Sequence, residues 1–239
     1  MGRGPSVEGR KSAEDARRAK VFTKLIREIT IAARGGADPA GNSRLRLAID
    51  KALSSNMSKN TIDRAVRRGS GAEGGDAMQE IRYEGYGPSG VALIIETMTD
   101  NSVRTVADVR HALGKHGGNL GTSGSVAFQF ARRGEIVVAT PDAASEEKLL
   151  EAALDAGADD VEAADGESLV LTAPESFEAV RKALVAAGFA PVRTDLVMRP
   201  QSRVAVAGEA AETLTDLLEW LDGLDDVQDV FHNAELPKG

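Results

Sequence analysis

The chain has 239 residues, of which 42 % are apolar and 28 % charged, a composition typical of a folded globular protein. The absence of cysteine excludes disulfides, thiolate nucleophiles and Cys-ligated metal sites, and three histidines leave little for any other metal site. The longest fully aliphatic run, residues 91–95, is far shorter than the ~20 apolar residues that a membrane helix needs. The first twenty residues contain no apolar stretch of a secretory signal, so a cytoplasmic protein without metal or other cofactor is expected.

The charge is divided unevenly along the chain. Residues 1–70 carry 16 Lys and Arg against 7 Asp and Glu, a net charge of +9, whereas residues 71–239 carry 13 against 30, a net charge of −17. The overall net charge of −8 conceals this division. A basic segment for a polyanion, joined to an acidic body, is the arrangement that such a division favours. The acidic body itself indicates solubility, or a docking surface for a basic protein.

Residues 17–34 are predicted to form an amphipathic helix that ends at Gly35-Gly36. At 100° per residue, one side of this helix is apolar and the other is a basic stripe. The stripe comprises Arg17, Lys20, Lys24, Arg27 and Arg34. Its length covers several phosphate spacings, which favours polyanion binding over a merely solvated surface. The preceding residues 1–11, with Arg10 and Lys11, are expected to form a flexible basic arm.

Two further helices are predicted before residue 70. Asp38-Pro39 offers a cap and first residue for the second helix, and Ser58 can cap the third, which ends at Gly69. The outer side of the third helix holds more positive charge, namely Arg64, Arg67 and Arg68. The glycine-rich residues 69–76 are predicted to be a flexible linker.

Beyond the linker, strands are predicted to alternate with helices. The predicted strands are residues 91–98, 125–130, 135–139, 168–172, 192–198, 203–207 and 227–232. The predicted helices are residues 145–156, 177–187, 210–221 and a segment that is capped by Asp100 or Asn101 and ends near Lys115.

These elements predict an α+β protein, with an N-terminal three-helix bundle followed by two ferredoxin-like α/β domains, the second inserted in the first. The predicted bounds are 1–75 for the basic helical domain with its arm, 76–130 plus 201–239 for the discontinuous α/β domain, and 131–200 for the inserted α/β domain.

Residues 85–90 (GYGPSG) match the glycine spacing of a dinucleotide-binding loop, but the context is wrong. They precede a strand and contain a proline, whereas the dinucleotide loop follows a strand and opens a helix. They are instead interpreted as a tight loop that presents Arg82, Tyr83 and Tyr86 at a surface, for stacking on a base or, equally, for packing onto the sheet. The glycine-rich residues 115–125, with Lys115 and His116, are a second candidate for phosphate contact, although a structural turn is favoured there.

Nothing in the sequence supports catalysis or metal binding. His111 and His116 are five residues apart, so they lie about 140° apart on a helix rather than on one face. Carboxylate pairs such as Asp225-Asp226 are expected in a segment of net charge −17, and none adjoins a partner for proton transfer. The chain is therefore predicted not to be an enzyme.

Several motifs, in order, resemble those of the YebC family, which also includes the mitochondrial translational activator of cytochrome oxidase. The matching segments are residues 13–29 (AEDARRAKVFTKLIREI), 42–52, 80–88 (EIRYEGYGP), 99–101 with 104–106, and 115–121 (KHGGNLG) with 124–126. Many members begin with a Gly-His-Ser-x-Trp stretch, which residues 2–9 lack, so no role of that His or Trp transfers to this chain. The resemblance implies a three-domain, non-enzymatic cytoplasmic regulator, described in some members as DNA-binding and in others as ribosome-associated in translation through proline-rich stretches.

The function expected from the sequence is a nucleic-acid-binding regulator of gene expression, and DNA-binding regulation of transcription is the first candidate. A ribosome-associated, RNA-binding translation factor is the alternative, and a protein–protein adaptor acting through the acidic domains is the third. No membrane or small-molecule partner is expected. The predicted phosphate contacts are Arg10, Lys11, Arg17, Arg18, Lys20, Lys24, Arg27, Arg34, Arg64, Arg67 and Arg68. No helix carries Asn, Gln and Arg arranged to read base edges, so contact with the phosphate backbone is expected to dominate.

Overall fold

The computed structural model describes residues 7–72 and 78–237, except for the side chains of residues 7–13. Residues 7–72 form the helices α1 (Val7–Ala32), α2 (Ser43–Ser54) and α3 (Lys59–Gly69). Helix α1 begins earlier than predicted, so the expectation of a flexible arm is wrong for residues 7–11. The rest of that arm, and residues 73–77 of the expected linker, lie outside the described residues.

Asn42 links the end of α1 to the start of α2. Its side-chain oxygen accepts a hydrogen bond from the Leu45 amide (3.0 Å), which caps α2. Its Nδ2 donates to the carbonyls of Ala32 (2.7 Å) and Gly36 (2.8 Å), at the end of α1. The predicted cap at Asp38 is therefore wrong, because the Asp38 side chain instead accepts from the amide of Ala40 in the preceding turn.

The three helices enclose an apolar core. Side chains from all three are buried in it, among them Ile29, Leu45, Ala48, Ala52, Ile62 and Ala65. Ser58 caps α3 as predicted, by accepting from the amide of Thr61. The helix ends at Gly69, where a Cβ atom would lie 2.1 Å from the carbonyl oxygen of Thr30. Glycine at this position therefore allows α3 to approach the backbone of α1 closely.

Strands and helices then alternate through residues 78–237. The strands are β1 (Gln79–Tyr86), β2 (Ala92–Thr99), β3 (Asn119–Leu120), β4 (Phe130–Ala139), β5 (Asp160–Ala164), β6 (Glu167–Thr172), β7 (Pro191–Pro200), β8 (Val204–Ala205), β9 (Val227–His232) and β10 (Ala234–Glu235). The helices are α4 (Ser102–Lys115, capped by Asn101), α5 (Ala143–Asp155), α6 (Phe177–Ala186) and α7 (Glu209–Gly223). The predicted α+β class is confirmed.

One four-stranded sheet has the order β3-β1-β2-β9. Two of its strands, β1 and β3, occupy segments predicted to be loops, and they pair antiparallel. The predicted strand at 125–130 is wrong, because residues 127–129 form a 3-10 turn and Phe130 begins β4. The predicted strand at 203–207 is reduced to β8, which pairs with β10 outside this sheet. The expected assembly of this sheet from two βαβ units is therefore wrong.

The other four-stranded sheet has the order β5-β6-β4-β7, and its neighbouring strands are all antiparallel. Its elements follow one another as β4-α5-β5-β6-α6-β7, the β-α-β-β-α-β order of the ferredoxin-like motif. Ile136, Leu149, Val180 and Leu184 are fully buried among them.

The chain divides into two compact units. Among the described residues, the first contains those up to Gly90, Ile95–Ser123 and Ala207–Val230, and the second contains Val91–Ile94, Gly124–Val206 and those from Phe231 onward. The predicted three-domain bounds remain a prediction. Within the described part of the chain, no helix is both long and apolar enough to span a bilayer.

Candidate nucleic-acid interface

Two lysines of the predicted basic stripe on α1 share one carboxylate. Lys20 Nζ lies 2.7 Å from Asp222 Oδ2, and Lys24 Nζ lies 2.6 Å from Asp222 Oδ1, at the end of α7. Lys24 also donates to the carbonyl of Gln228 (3.2 Å), whose side-chain amide donates back to the Lys24 carbonyl (2.9 Å). Burial raises the pKa of the Asp222 carboxyl, but the hydrogen bonds from Lys20 and Lys24 outweigh burial and hold that pKa below its ordinary value.

The third residue of the stripe, Arg27, is joined to Asp226. Its Nη1 donates to Asp226 Oδ1 and to the carbonyl of Met98, both at 2.7 Å. Asp226 is buried and also accepts from the guanidinium of Arg104 (2.9–3.2 Å) and the hydroxyl of Thr105 (2.8 Å). Burial raises the pKa of the Asp226 carboxyl, but hydrogen bonds from Thr105, Arg104 and Arg27 outweigh burial and hold the pKa below its ordinary value.

These contacts change what the stripe offers to a polyanion. Lys20 and Lys24 are already paired with a carboxylate, and Arg27 stabilises the fold through a buried one. The charges alone suggest that replacing all three with Ala would leave the fold nearly intact. The structure argues against this for Arg27, whose side chain is only 16 % exposed. Phosphate contact by the stripe stays a prediction.

The ends of the stripe are more accessible. Arg17 and Arg18 are exposed, and the Arg18 guanidinium lies 5.2 Å from the centre of the Phe22 ring, a cation–π contact. Arg34 is exposed beyond the C-terminal end of α1. The side chains of Arg10 and Lys11 lie outside the described residues.

The three arginines of α3 form the second predicted group, and all are exposed. Arg64 and Arg68 are one helical turn apart, so they face similar directions. Arg68 also borders a cavity of about 230 Å³, whose other lining residues come mainly from α1. Neither Arg64 nor Arg68 forms an ion pair with any residue that the structure describes. Lys59, exposed at the start of the same helix, is not among the predicted contacts.

Arg44 connects α2 to both α1 and β1. Like Lys59, it is not among the residues predicted from the sequence. It lies in the first turn of α2 and donates to Glu28 on α1 (2.8 Å) and to Glu80 on β1 (3.2 Å). Burial lowers the pKa of the guanidinium, but the hydrogen bonds to Glu80 and Glu28 outweigh it and raise the pKa, so Arg44 is permanently charged. No local sequence signal marks this bridge, because neither carboxylate is close to Arg44 in the chain.

The predicted aromatic loop is part of a strand. Arg82, Tyr83 and Tyr86 all lie in β1, and Arg82 donates to Glu96 at 2.7 Å. Tyr83 and Tyr86 are half-buried. Burial, and then the negative charge of Asp226, raise the pKa of the Tyr83 hydroxyl. The loop interpretation is therefore wrong for residues 82–86, whereas residues 88–90 do form a 3-10 turn. Contact of Arg82, Tyr83 and Tyr86 with a nucleic acid stays a prediction.

The glycine-rich segment after α4 has a structural role. The amide of Gly118 donates to the backbone carbonyl of Leu113 (2.9 Å) and that of Gly121 to the backbone carbonyl of Glu84 (2.8 Å), so these two amides are already satisfied. His116 Nδ1 bonds the carbonyl of Ala112 (2.8 Å), and Lys115 ends α4. Phosphate contact by Lys115 and His116 stays a prediction.

We expect Gly118→Ala to destabilise the protein by about 1–3 kcal/mol, the usual cost of overpacking. A Cβ atom at this position would lie 2.3 Å from the carbonyl oxygen of Tyr86, where β3 pairs with β1. Gly114→Ala on α4 is the matched control, since a Cβ there has no neighbour within 4 Å. Urea unfolding should separate the two variants, and equal stability would show that the close approach is unimportant.

Two of the histidines pack against one tryptophan. His111 and His116 both contact Trp220 edge-on, with ring centres 5.7 and 5.5 Å apart respectively. In the part of the chain that the structure describes, no three His, Cys, Asp or Glu side chains converge to hold a metal ion.

The fold and this region together define a class of protein with a basic helical domain followed by α/β domains. Residues 5–72 match the TACO1/YebC protein N-terminal domain, and residues 78–234 match the TACO1/YebC second and third domain. The chain belongs to the TACO1/YebC family, as the motifs predict.

Named relatives and a solved structure support this assignment. The chain is 54 % identical, over 98 % of both sequences, to a probable transcriptional regulatory protein of Xanthomonas campestris pv. campestris (strain B100). It is 53 % identical to one of Stenotrophomonas maltophilia (strain K279a), over 99 % of this chain and 98 % of that protein. The crystal structure of a conserved hypothetical protein from Aquifex aeolicus has a TM-score of 0.85 at 43 % identity, covering 94 % of this chain and 93 % of that one.

Proposed function

We propose that this protein is a DNA-binding regulator of transcription whose helical domain contacts the phosphate backbone. The observation that carries the proposal is the group of exposed arginines on α3, together with those at the two ends of the α1 stripe. They belong to a segment of net charge +9 in a chain that is otherwise acidic. The names of the relatives agree with a role in transcription.

The proposed contacts do not include every predicted residue. Arg17, Arg18, Arg34, Arg64, Arg67 and Arg68 are proposed to contact phosphates directly. Arg27 is not, because its guanidinium is held between Asp226 and the Met98 carbonyl. Since phosphate contacts carry no sequence information, binding that depends on them is expected to discriminate weakly among duplex sequences.

The double variant Arg64→Ala/Arg68→Ala tests the α3 group. We expect weaker binding to duplex DNA and a smaller salt dependence, because each phosphate that the variant no longer neutralises lowers the log–log slope by about 0.9. Fluorescence anisotropy of a labelled duplex, titrated at several salt concentrations, measures both quantities.

Lys148→Ala/Lys182→Ala is the matched control, because it removes two exposed positive charges from the second unit. Unchanged slopes in the α3 variant would contradict the proposed interface. A structured ribosomal RNA fragment is titrated in parallel at the same salt. Binding to this RNA that greatly exceeds binding to duplex DNA would replace the transcription assignment with the ribosome-associated one.

A further inference from the structure

The two carboxylates that pair with the α1 stripe, Asp222 and Asp226, differ in burial and in the number of their partners. Asp226 is 7 % exposed, and side chains from α1 and α4 all donate to it, so it is a fixed part of the fold. Asp222 is 61 % exposed, and Lys20 and Lys24 are the residues that bind its carboxylate among those described. Lys20 and Lys24 are 29 % and 19 % exposed, so Asp222 is the solvent-facing partner, and an ion pair that is open to water on one side weakens with salt. The Asp222 contact is therefore the one that an incoming ligand can displace.

The Asp222 carboxylate resembles a phosphate group as a hydrogen-bond acceptor. Both present anionic oxygens that accept short, charge-assisted hydrogen bonds from ammonium groups, as the distances of 2.6 and 2.7 Å show here. The Asp222 carboxylate forms ion pairs with Lys20 and Lys24, the two lysines that the helical periodicity places on the basic side of α1. An anion can reach these lysines fully only when this carboxylate moves away.

We propose that Asp222 is an autoinhibitory competitor for the nucleic-acid phosphates that would otherwise bind Lys20 and Lys24. This inference rests on the proposed function. Phosphates held by the exposed arginines raise the local concentration of neighbouring phosphates at α1, which then exchange with the carboxylate. The contact lowers affinity for any single phosphate, so extended polyanions are favoured over isolated ones.

Asp222→Asn tests the proposal, because it keeps the size of the side chain and removes its charge. We expect duplex DNA to bind about two- to tenfold more tightly at low salt, the range that follows from one or two weak ion pairs with a solvent-facing carboxylate. Glu219→Gln is the matched control, since it removes one exposed negative charge from the same helix without a contact to either lysine. In Lys20→Ala/Lys24→Ala/Asp222→Asn, the gain should disappear. Circular dichroism melting confirms that each variant is folded.

Each outcome is decisive. A gain specific to Asp222→Asn that depends on the lysines supports the competitor. Equal effects of Asp222→Asn and Glu219→Gln would overturn the competitor, because the effect would then be one of overall charge. In that case, binding of DNA by the unaltered protein would still support the proposed function. Absence of binding by both the unaltered protein and Asp222→Asn would overturn the proposed function and the competitor together.

Discussion

Asp226→Asn is expected to destabilise the protein by about 3 kcal/mol, the low end of the range for breaking a buried ion pair. The carboxylate is buried and accepts from Arg27, Arg104 and Thr105. Its removal leaves the Arg27 guanidinium, itself only 16 % exposed, without its anion. Arg104 is 46 % exposed, so water replaces part of that interaction and keeps the cost at the low end. Urea unfolding at pH 7 measures the difference.

The neighbouring residue provides the control. Asp225 is exposed, so Asp225→Asn removes the same charge one position away and should change the free energy of unfolding by less than about 0.5 kcal/mol. Similar destabilisation in both variants would show that net charge, rather than the buried network, determines the effect.

The same network predicts how stability depends on pH. The pKa of Asp226 is lower in the folded protein than the ordinary value of about 3.9 in the unfolded chain. Its contribution is therefore fully present above about pH 4 and disappears as the pH falls through the folded-state pKa. The stability difference between the unaltered protein and Asp226→Asn should be constant from about pH 6 to 8, by this linkage, and should shrink on acidification below about pH 4. A difference that grows on acidification would contradict this account.

Local periodicity predicts the basic stripe but not its partners. The 3.6-residue repeat places Lys20, Lys24 and Arg27 on one side of α1, since helix geometry is local. Asp222 and Asp226 are about 200 residues further along the chain. In a segment with 30 acidic residues, no feature of the sequence distinguishes these two from solvated carboxylates. Their position beside α1 follows only from the packing of α7 and β9.

Strands β1 and β5 are not predicted from the sequence, and each has a physical reason. The glycines of residues 85–90 favour a loop by composition, but Gly85 lies in β1. Glycine is needed there because a Cβ atom would lie 2.6 Å from the Asn119 carbonyl oxygen of the paired strand β3. Strand β5 is short, acidic and mostly exposed at the edge of its sheet, so it lacks the apolar alternation that marks a strand. In contrast, the predicted bounds of β9 are the observed ones, since its valines and phenylalanine are residues that favour strands.

The residues that are buried in the helical domain differ from those that the sequence pattern suggests. The apolar side of α1 suggests Phe22 and Leu25 as core residues, for which Ala substitutions would cost about 2–5 kcal/mol if they were buried. Both are only half-buried, and Val21 on the same side is 46 % exposed. Among the described residues of this domain, the large side chains that are fully buried are Ile29 on α1 and Leu45 on α2. Of residues 14–21 on α1, all but Lys20 are exposed, so the core of the domain lies towards the C-terminal end of this helix.

Leu45→Ala is therefore expected to destabilise the helical domain by about 2–5 kcal/mol, whereas Leu25→Ala should cost less. Leu45 is completely buried among all three helices, and its amide donates the capping bond to Asn42, so the first turn of α2 cannot shift to fill the cavity without loosening that cap. Leu53→Ala on the same helix is the matched control, because Leu53 is 42 % exposed. Amide hydrogen exchange in α1–α3 measures the effect within this domain, and equal protection in the Leu45 and Leu53 variants would contradict the assignment of the core. Since the proposed phosphate contacts are all carried by this helical domain, Leu45→Ala should also weaken duplex binding at temperatures where the domain opens, although it removes no charge.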